Sequence, residues 1–552
     1  MKQALKWIPR ILACIIAVFL LFWFQLPPIN LFAKAFWSFL AECIIVCAVI
    51  CGITSVLSFA KKAHKDTVLT DGKAALKTAA LPTKIVIGVL VAMLALSLVF
   101  SIIGARFFNA KRYANLLTTT DGNFSAEVAE LTMSQIPVVD RDTASRLGQR
   151  KLGEISDLVS QFEIEDEYTQ INYQNRPVRV TPLGYADIIK WFTNQSEGLP
   201  GYIKVDLTTQ ETELVRLKKG IRFSRSEYFL RDLDRTLRFQ YPTKIFKEVS
   251  FEIDEQGTPY WVASVVDYKI GFWSGEDICG VVLLNACSGE STYYDLADIP
   301  RWVDQAFDSD MIIQQLTDNG MYSGGFWNSV FGQKNVRQPT DGYNYIALND
   351  DVWLYTGITS VTSDESNIGF VLINLRTKEA RYYVQAGAEE YSAMESAQGQ
   401  VQHLSYNSTF PILLNVADRP TYFMSLKDGA GLVKMYAFVD MEQYQVVGTG
   451  ASVEQAQEAY LQALENENIN IDTPEDETPP QTKTLRGTVK QISSAVVGGN
   501  TCYYVVFEGE DATVYTLPIT LSDRLPFVTV GSTLELTLTD QAVTAVTVDP
   551  QA

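Results

Sequence analysis

Histidine is almost absent: the 552-residue chain has two, His64 and His403. A histidine-rich metal centre is thereby excluded, and any Ser-His-Asp or Cys-His site beyond the membrane region would need His403. Neither a Gly-x-Ser-x-Gly nucleophile turn nor a Walker A phosphate loop occurs. Cysteine is sparse at seven, so no disulfide framework is evident. Basic charge is also short. With a formal net charge of −19 the chain is a poor partner for nucleic acid, whose affinity comes from Lys and Arg on phosphates. Apolar residues are not lacking: 47% hydrophobic and 11% aromatic excludes a mainly disordered chain.

The charge is unevenly spread. Residues 1–112 hold 13 basic side chains against Glu42, Asp66 and Asp71, and the remainder carries a net −29. The basic part also contains three apolar runs: Ile11–Leu26, extended by Trp7 and Ile8, then Ala35–Ala60 and Ile85–Gly104. A helix of about 20 such residues crosses a bilayer, so 1–112 reads as a three-helix transmembrane anchor. Loop 61–84 carries six lysines against two aspartates, which by the positive-inside rule puts it in the cytoplasm with the N-terminus. Residues after about 106 are then extracytoplasmic at a cell membrane, although Arg106, Lys111 and Arg112 count against that orientation. A signal peptide cleaved near Ala33-Lys34-Ala35 is the competing reading of the first run. Glu42 is the one carboxylate inside a span, placed near its outer end. Cys43, Cys47 and Cys51 share one helical face and read as a helix–helix contact. Cys279 and Cys287 are too far apart along strand and turn to bridge easily. So low a cysteine content on an exported chain points to a bacterial envelope.

At roughly 150 residues per domain the length predicts three or four domains. We divide the remainder into an N-terminal α+β part (113–250), a repeated α+β region (251–466), an acidic Pro-containing linker (467–484) and a small β-barrel (485–552). Helical spacing is read over Gly184–Asn194, Ser226–Phe239 and Ile299–Leu316, with short strands between. The repeat is explicit: Gly280–Tyr294 (GVVLLNACSGESTYY) and Gly369–Tyr383 (GFVLINLRTKEARYY) match at seven of fifteen positions. Each reads as a hairpin, and each follows a strand with a tryptophan, Trp261 or Trp353. A fainter third copy spans Pro420–Val447.

The first copy, with Asn285-Ala286 followed by Ser288-Gly289-Glu290, resembles the PepSY module. That resemblance covers about 40 residues per copy and implies small extracytoplasmic α+β units that bind or restrain peptidases and other envelope partners. In the second copy Arg376-Thr377-Lys378-Glu379 departs from the pattern. The whole chain also looks like the large membrane-anchored envelope proteins of Gram-positive bacteria.

Downstream, Ser452 and Gln455 form a capping box opening a helix to about Asn466. Five short strands after the linker suggest an OB-like or SH3-like barrel. Gly448-Thr449-Gly450, between strand and helix, reads as a tight turn rather than a dinucleotide site. The carboxylates Asp350, Asp351, Asp364 and Glu365 flank the Trp353 strand and are the candidate ligands for calcium, or a paired-acid hydrolase site. Otherwise they are solvated loop charges, as are Glu389-Glu390. His403, in an alternating segment, reads as a surface histidine.

The expectation is a non-catalytic multi-pass membrane protein that needs no cofactor. Its partners are the lipid bilayer and other envelope or membrane proteins, which its acidic ectodomain binds or regulates. An envelope hydrolase and an accessory subunit of a channel or transporter are the alternatives.

Overall fold

Three apolar helices open the computed structural model: α1 (Ile8–Gln25), α2 (Lys34–Ala63) and α3 (Gly72–Ile103). The structure describes residues 8–63, 72–132, 135–361, 363–467, 482–497, 500–509, 513–522, 524–539 and 542–548. Each helix is long and apolar enough to span a membrane, and almost none of that surface is covered by protein. Lipid therefore has to cover it. Cys14 on α1 faces Cys47 and Cys51 on α2, the helix–helix contact expected of that cysteine face. Glu42 accepts a hydrogen bond from Gln25, the last residue of α1. Of the expected loop 61–84, residues 64–71 lie outside the described residues, and the rest is helical, 61–63 ending α2 and 72–84 opening α3; most of linker 467–484 also lies outside the described residues.

The near ends of the spans are bonded to the folded part. Ile29 N–H donates to the Pro242 carbonyl at 2.7 Å and Arg238 Nε to the Leu26 carbonyl at 2.9 Å. A short helix, α4 (Arg106–Ala114), follows α3, and Arg106 meets Asp318 through two bonds of 2.7 and 3.0 Å. Arg112 donates to the Lys269 carbonyl. The two arginines that opposed the outward orientation are thus engaged within the protein.

Residues 115–466 build four sheets, antiparallel throughout except where β1 (Thr120–Asp121) pairs in parallel with β15 (Ala380–Ala388) at the edge of the third. A strap of β1 (Thr120–Asp121) and α5 (Phe124–Glu127) leads to α6 (Arg141–Gly153). The first sheet holds β2 (Phe162–Ile164), β3 (Thr169–Tyr173), β4 (Arg176–Tyr185), β5 (Leu199–Asp206) and β6 (Thr212–Ile221), with α7 (Ile188–Asn194) between β4 and β5. After α8 (Leu233–Gln240) come β7 (Ile245–Ile253), β8 (Pro259–Ile270), β9 (Ser274–Asn285) and β10 (Ser291–Asp295). After α9 (Ser309–Tyr322) come β11 (Arg337–Pro339), β12 (Asn344–Leu348), β13 (Asp351–Ser360), β14 (Ser363–Asn374) and β15 (Ala380–Ala388). After α10 (Glu390–Gln400) come β16 (Asn407–Ser408), β17 (Ile412–Val416), β18 (Arg419–Lys427), β19 (Val433–Asp440) and β20 (Val447–Gly450), closed by α11 (Val453–Asn466). The sequence boundary at 250/251 falls inside β7.

These sheets repeat one turn geometry, three of them closely. The penultimate strand of each ends on Asp206, Asn285, Asn374 or Asp440, whose Oδ1 accepts the N–H groups two and three residues on. Such Asx turns let a short side chain replace a backbone acceptor. In the first three, the residue four past the turn is left-handed: Gln210, Gly289 and Lys378. Register is also shared, Tyr202↔Val215, Val281↔Tyr294 and Phe370↔Tyr383. Five residues before each of these three turns stands a glycine (201, 280, 369), where a Cβ would lie 2.0 to 2.4 Å from a carbonyl oxygen of the next strand. In all four sheets the residue after the Asx donates to the preceding strand, at Pro177 of β4, Pro259 of β8, Val352 of β13 and Pro420 of β18. The two hairpins expected from sequence are therefore β9–β10 and β14–β15. The third copy turns at Asp440, and a further copy, not expected from the sequence, turns at Asp206. Trp261 pairs with Leu284 but Trp353 with Asn374, a one-residue offset that points them to opposite faces, and only Trp261 is fully buried.

The helices begin later than their apolar spacing suggested, because aspartates fix the starts. Asp187, Asp232 and Asp308 accept the N–H of residues two or three further on, capping α7, α8 and α9. Gly184 and Tyr185 belong to β4, and Ser226–Arg231 and Ile299–Phe307 precede their helices. The Ser452 cap forms as expected, accepting Gln455 N–H.

The second compact unit spans 472–552. Its strands β21 (Thr482–Val497), β22 (Asn500–Phe507), β23 (Tyr515–Pro518), β24 (Thr533–Thr539) and β25 (Ala542–Val548) match the five expected. They form one antiparallel sheet in the order β23-β22-β21-β24-β25 around a core of Val489, Val505, Phe507, Leu517, Leu534 and Leu536.

Candidate functional site

The four sequence-selected carboxylates are not brought together. Asn349 and Asp350, with φ of +51° and +69°, are the two central residues of the β12–β13 hairpin, a turn that requires φ above zero at both. Asp350 accepts from the Asn172 amide at 3.2 Å. Asp351, nearly buried, is held by Arg376 through two bonds of 2.7 Å and by the Asn374 amide at 2.7 Å. The side chains of Asp364 and Glu365 lie outside the described residues. Their strand pairs Ser363 with Ser360 at the far end of β13, roughly 30 Å along the ladder from Asp351 at ~3.3 Å per residue. Among the described residues, no three His, Cys, Asp or Glu side chains come together to hold a metal ion.

The remaining candidates do not assemble a site either. Glu390 is fully buried and accepts from Tyr355 Oη at 2.7 Å and Gly357 N–H at 2.9 Å. His403 is exposed on a single 3-10 turn, not in a strand. Gly448 and Gly450 lie within β20, where α11 packs so closely that a Cβ would approach Tyr460 N to 2.1 Å and Ala456 N to 2.4 Å. Their lack of a side chain serves packing.

A larger site lies where the repeated sheets meet. A cleft of ≈ 1020 Å³ draws Asp140 and Asp142 from the start of α6, Glu165–Gln170, Arg225, Glu248 from β7, Asp308–Asp310 from the start of α9, Tyr343–Tyr345 and Phe410. Three of the sheets contribute strand residues to it, and the fourth contributes Phe410 from the loop between β16 and β17. Its walls carry Asp140, Asp142, Glu165, Asp166, Glu167, Glu248, Asp308 and Asp310 against Arg141, Arg179 and Arg225. Burial disfavours the charge of Asp140, but hydrogen bonds from Lys427 (2.7 Å) and the Thr143 N–H outweigh it and hold its carboxyl below the usual range. Glu165 and Glu167 are pushed up, chiefly by burial, although Arg225 donates to Glu167 at 2.6 Å. Glu248, open to cleft water but enclosed by protein, is pushed up to about 8 by that enclosure and by Asp308 beside it. Arg179 is buried in the wall and bonded to Gln170 Oε1 at 3.0 Å; loss of solvent lowers it to about 10, so it keeps its charge at neutral pH.

A second acid pair lies behind the cleft. Glu252 is fully buried and accepts the Asp304 and Gln305 N–H groups at 2.9 and 3.1 Å. Burial pushes it up to about 7 and, with Glu252 alongside, pushes Asp304 up as well. An excess of converging carboxylates suits electrostatic capture of a cationic segment. The cleft was missed because its acids come from positions 140 to 310; only the run Glu163-Ile164-Glu165-Asp166-Glu167 is locally dense.

No family model matches the chain, and no curated protein does. Among solved structures, a point mutant of B. megaterium levansucrase aligns with 79% of this chain and 98% of its own at 9% identity. Its TM-score is 0.17. At that score the likeness carries no argument about fold or activity.

Proposed function

We propose that the protein is a non-catalytic, membrane-anchored binding protein whose acidic cleft receives a basic segment of another envelope or membrane protein. The observation that carries this reading is the cleft, whose eight acidic side chains outnumber three arginines over ≈ 1020 Å³ even with Asp140 met by Lys427 and Glu248 keeping its proton near neutral pH. The N-terminus and loop 61–84 face the cytoplasm and everything after about residue 106 faces outward. The lysines of that loop support this orientation, as does the bonding of the α1–α2 turn and the end of α3 to the same folded part. The fourfold Asx-turn hairpin supports PepSY-like modules that bind or restrain envelope proteins. In the second unit, β21 pairs with both β22 and β24 while β23 and β25 touch; this supports an OB-like docking barrel. Nothing favours the paired-acid site at 350–365, and the hydrogen bond of Glu42 to Gln25 gives it a local partner rather than a place in a pore.

Two experiments test the reading. Protease added to intact cells is expected to degrade the region after Arg112, and protection of that region would overturn the orientation. A photo-crosslinking residue in place of Ser145 in the cleft is expected to capture a partner through a Lys/Arg-rich peptide. Capture of the same peptides from an exposed position on α11, such as Glu454, would count against the cleft.

A further inference from the structure

The folded part exposes large apolar side chains in two patches, and both adjoin the places where the spans end. The first patch joins Phe107 and Phe108 of α4 to the turn at 326–332. Phe107 packs edge-on against Phe326 and Trp327 at 5.0 and 5.5 Å, and Trp327 stacks on Phe331 at 5.6 Å. Trp327 is nevertheless 60% exposed and Phe331 76%. The Arg106–Asp318 pair ties this patch to the end of α3.

The second patch comprises Ile188, Ile189 and Phe192 of α7 with Phe229 and Leu230, all more than half exposed. Trp191, beneath them, packs on Tyr228 and Phe229. This patch is tied to α1: Arg235 donates to the Phe229 carbonyl at 2.6 Å and lies over the Trp23 ring at 4.5 Å. Phe239 packs against both Phe22 and Trp23. At the same ends of the spans, Phe272 stacks on Phe100 of α3 at 4.1 Å and on Phe32 of the α1–α2 turn at 5.1 Å.

Side chains so placed stand at the level of the lipid headgroups, where aromatic residues concentrate because one end is apolar and the other wet. In water each patch would be an unfavourable exposure on elements that otherwise bury their apolar faces. We propose that both patches insert into the headgroup–acyl boundary of the leaflet around the spans. The folded part then lies on the membrane by these two footings, with the helices between them. Lipid is the occupant the contacts favour, because each patch is tied to the end of an apolar span: the first sits on α4, which directly follows α3, and the second is joined through Arg235 to the Trp23 ring of α1. The inference holds for either orientation and does not depend on what the cleft binds.

The test uses the full chain in vesicles of equal parts phosphatidylglycerol and phosphatidylcholine, with p-benzoylphenylalanine in place of Phe192, Phe331 or, as a control, exposed Tyr444. Mass spectrometry of irradiated samples is expected to find lipid adducts several-fold enriched at 192 and 331 over 444. Chain-to-chain adducts at 192 and 331 would show instead that a second copy covers the patches, and yields no higher than at 444 would show that water does. Either result overturns the proposal. Phe192→Asp and Phe331→Asp supply an independent measurement, since exposed sites tolerate charge. Both are expected to increase protease and deuterium access at α7 and at 326–332 in vesicles but not in detergent, and no such difference would also overturn it.

Discussion

Asp440 has no exposed surface, and its charge is met by two bonds from Arg419 and one from Tyr460 Oη. Removing one partner of a buried pair leaves the other charged and unsolvated, a loss of ~3–5 kcal/mol. Arg419→Ala is therefore expected to lower the unfolding free energy of the first unit by about that amount, read from the denaturation midpoint in nanodiscs. The same position carries Arg176 opposite Asp206 and Asp351 opposite Asn374, so charge at the turn and its partner vary together. Glu252 gives a pH prediction. Folded, it keeps its proton up to about pH 7; unfolded, a glutamate loses it near 4.3. Between those values the folded chain binds more protons, so stability falls as pH rises and levels off above about 7. Glu252→Gln is expected to flatten the decline in thermal midpoint over that window. An unchanged slope would place its cause elsewhere.

At the scale of elements, close backbone approach can be tested at single glycines. Gly448→Ala puts a methyl 2.1 Å from Tyr460 N and is expected to push α11 off β20, costing roughly 1–3 kcal/mol. Gly399→Ala, within α10 and facing open space, is expected to stabilise by up to ~1 kcal/mol. Ala417 holds a left-handed φ of +52° in the β17–β18 turn, so Ala417→Gly is expected to gain about 1 kcal/mol. Thermal midpoints of the three variants check all three signs. Elements were legible where one local rule governed them: the three spans, the Ser452 cap, the two hairpins and the five strands of the second unit. They were misread where two rules competed. Apolar spacing continued past Asp187, Asp232 and Asp308, but the caps set the helix starts. The repeat at Asp206 was not legible because Gly201-Tyr-Ile-Lys-Val-Asp206 keeps the glycine and Asx while changing most apolar letters between them. The candidate site was the least legible. Adjacent acids such as Asp350-Asp351 turned out to serve a turn and an ion pair, whereas the cleft assembles acids separated by up to 170 positions.

For the whole molecule, the formal charge of −19 divides into +10 at the membrane and −29 beyond it. The anchor is basic where anionic lipid headgroups attract it, and the folded part concentrates carboxylates in one concave wall. The central claim is that this wall, rather than net charge alone, selects a cationic partner. The direct measurement is a fluorescence-anisotropy titration of a lysine-rich decapeptide onto the full chain in nanodiscs at physiological salt. It compares the native chain with Asp166→Lys plus Asp310→Lys in the cleft, and with Glu454→Lys plus Glu458→Lys on α11. The account predicts at least tenfold weaker binding for the cleft pair, about 1.4 kcal/mol or more, and a change within about twofold for the α11 pair. Equal weakening by both pairs would contradict it.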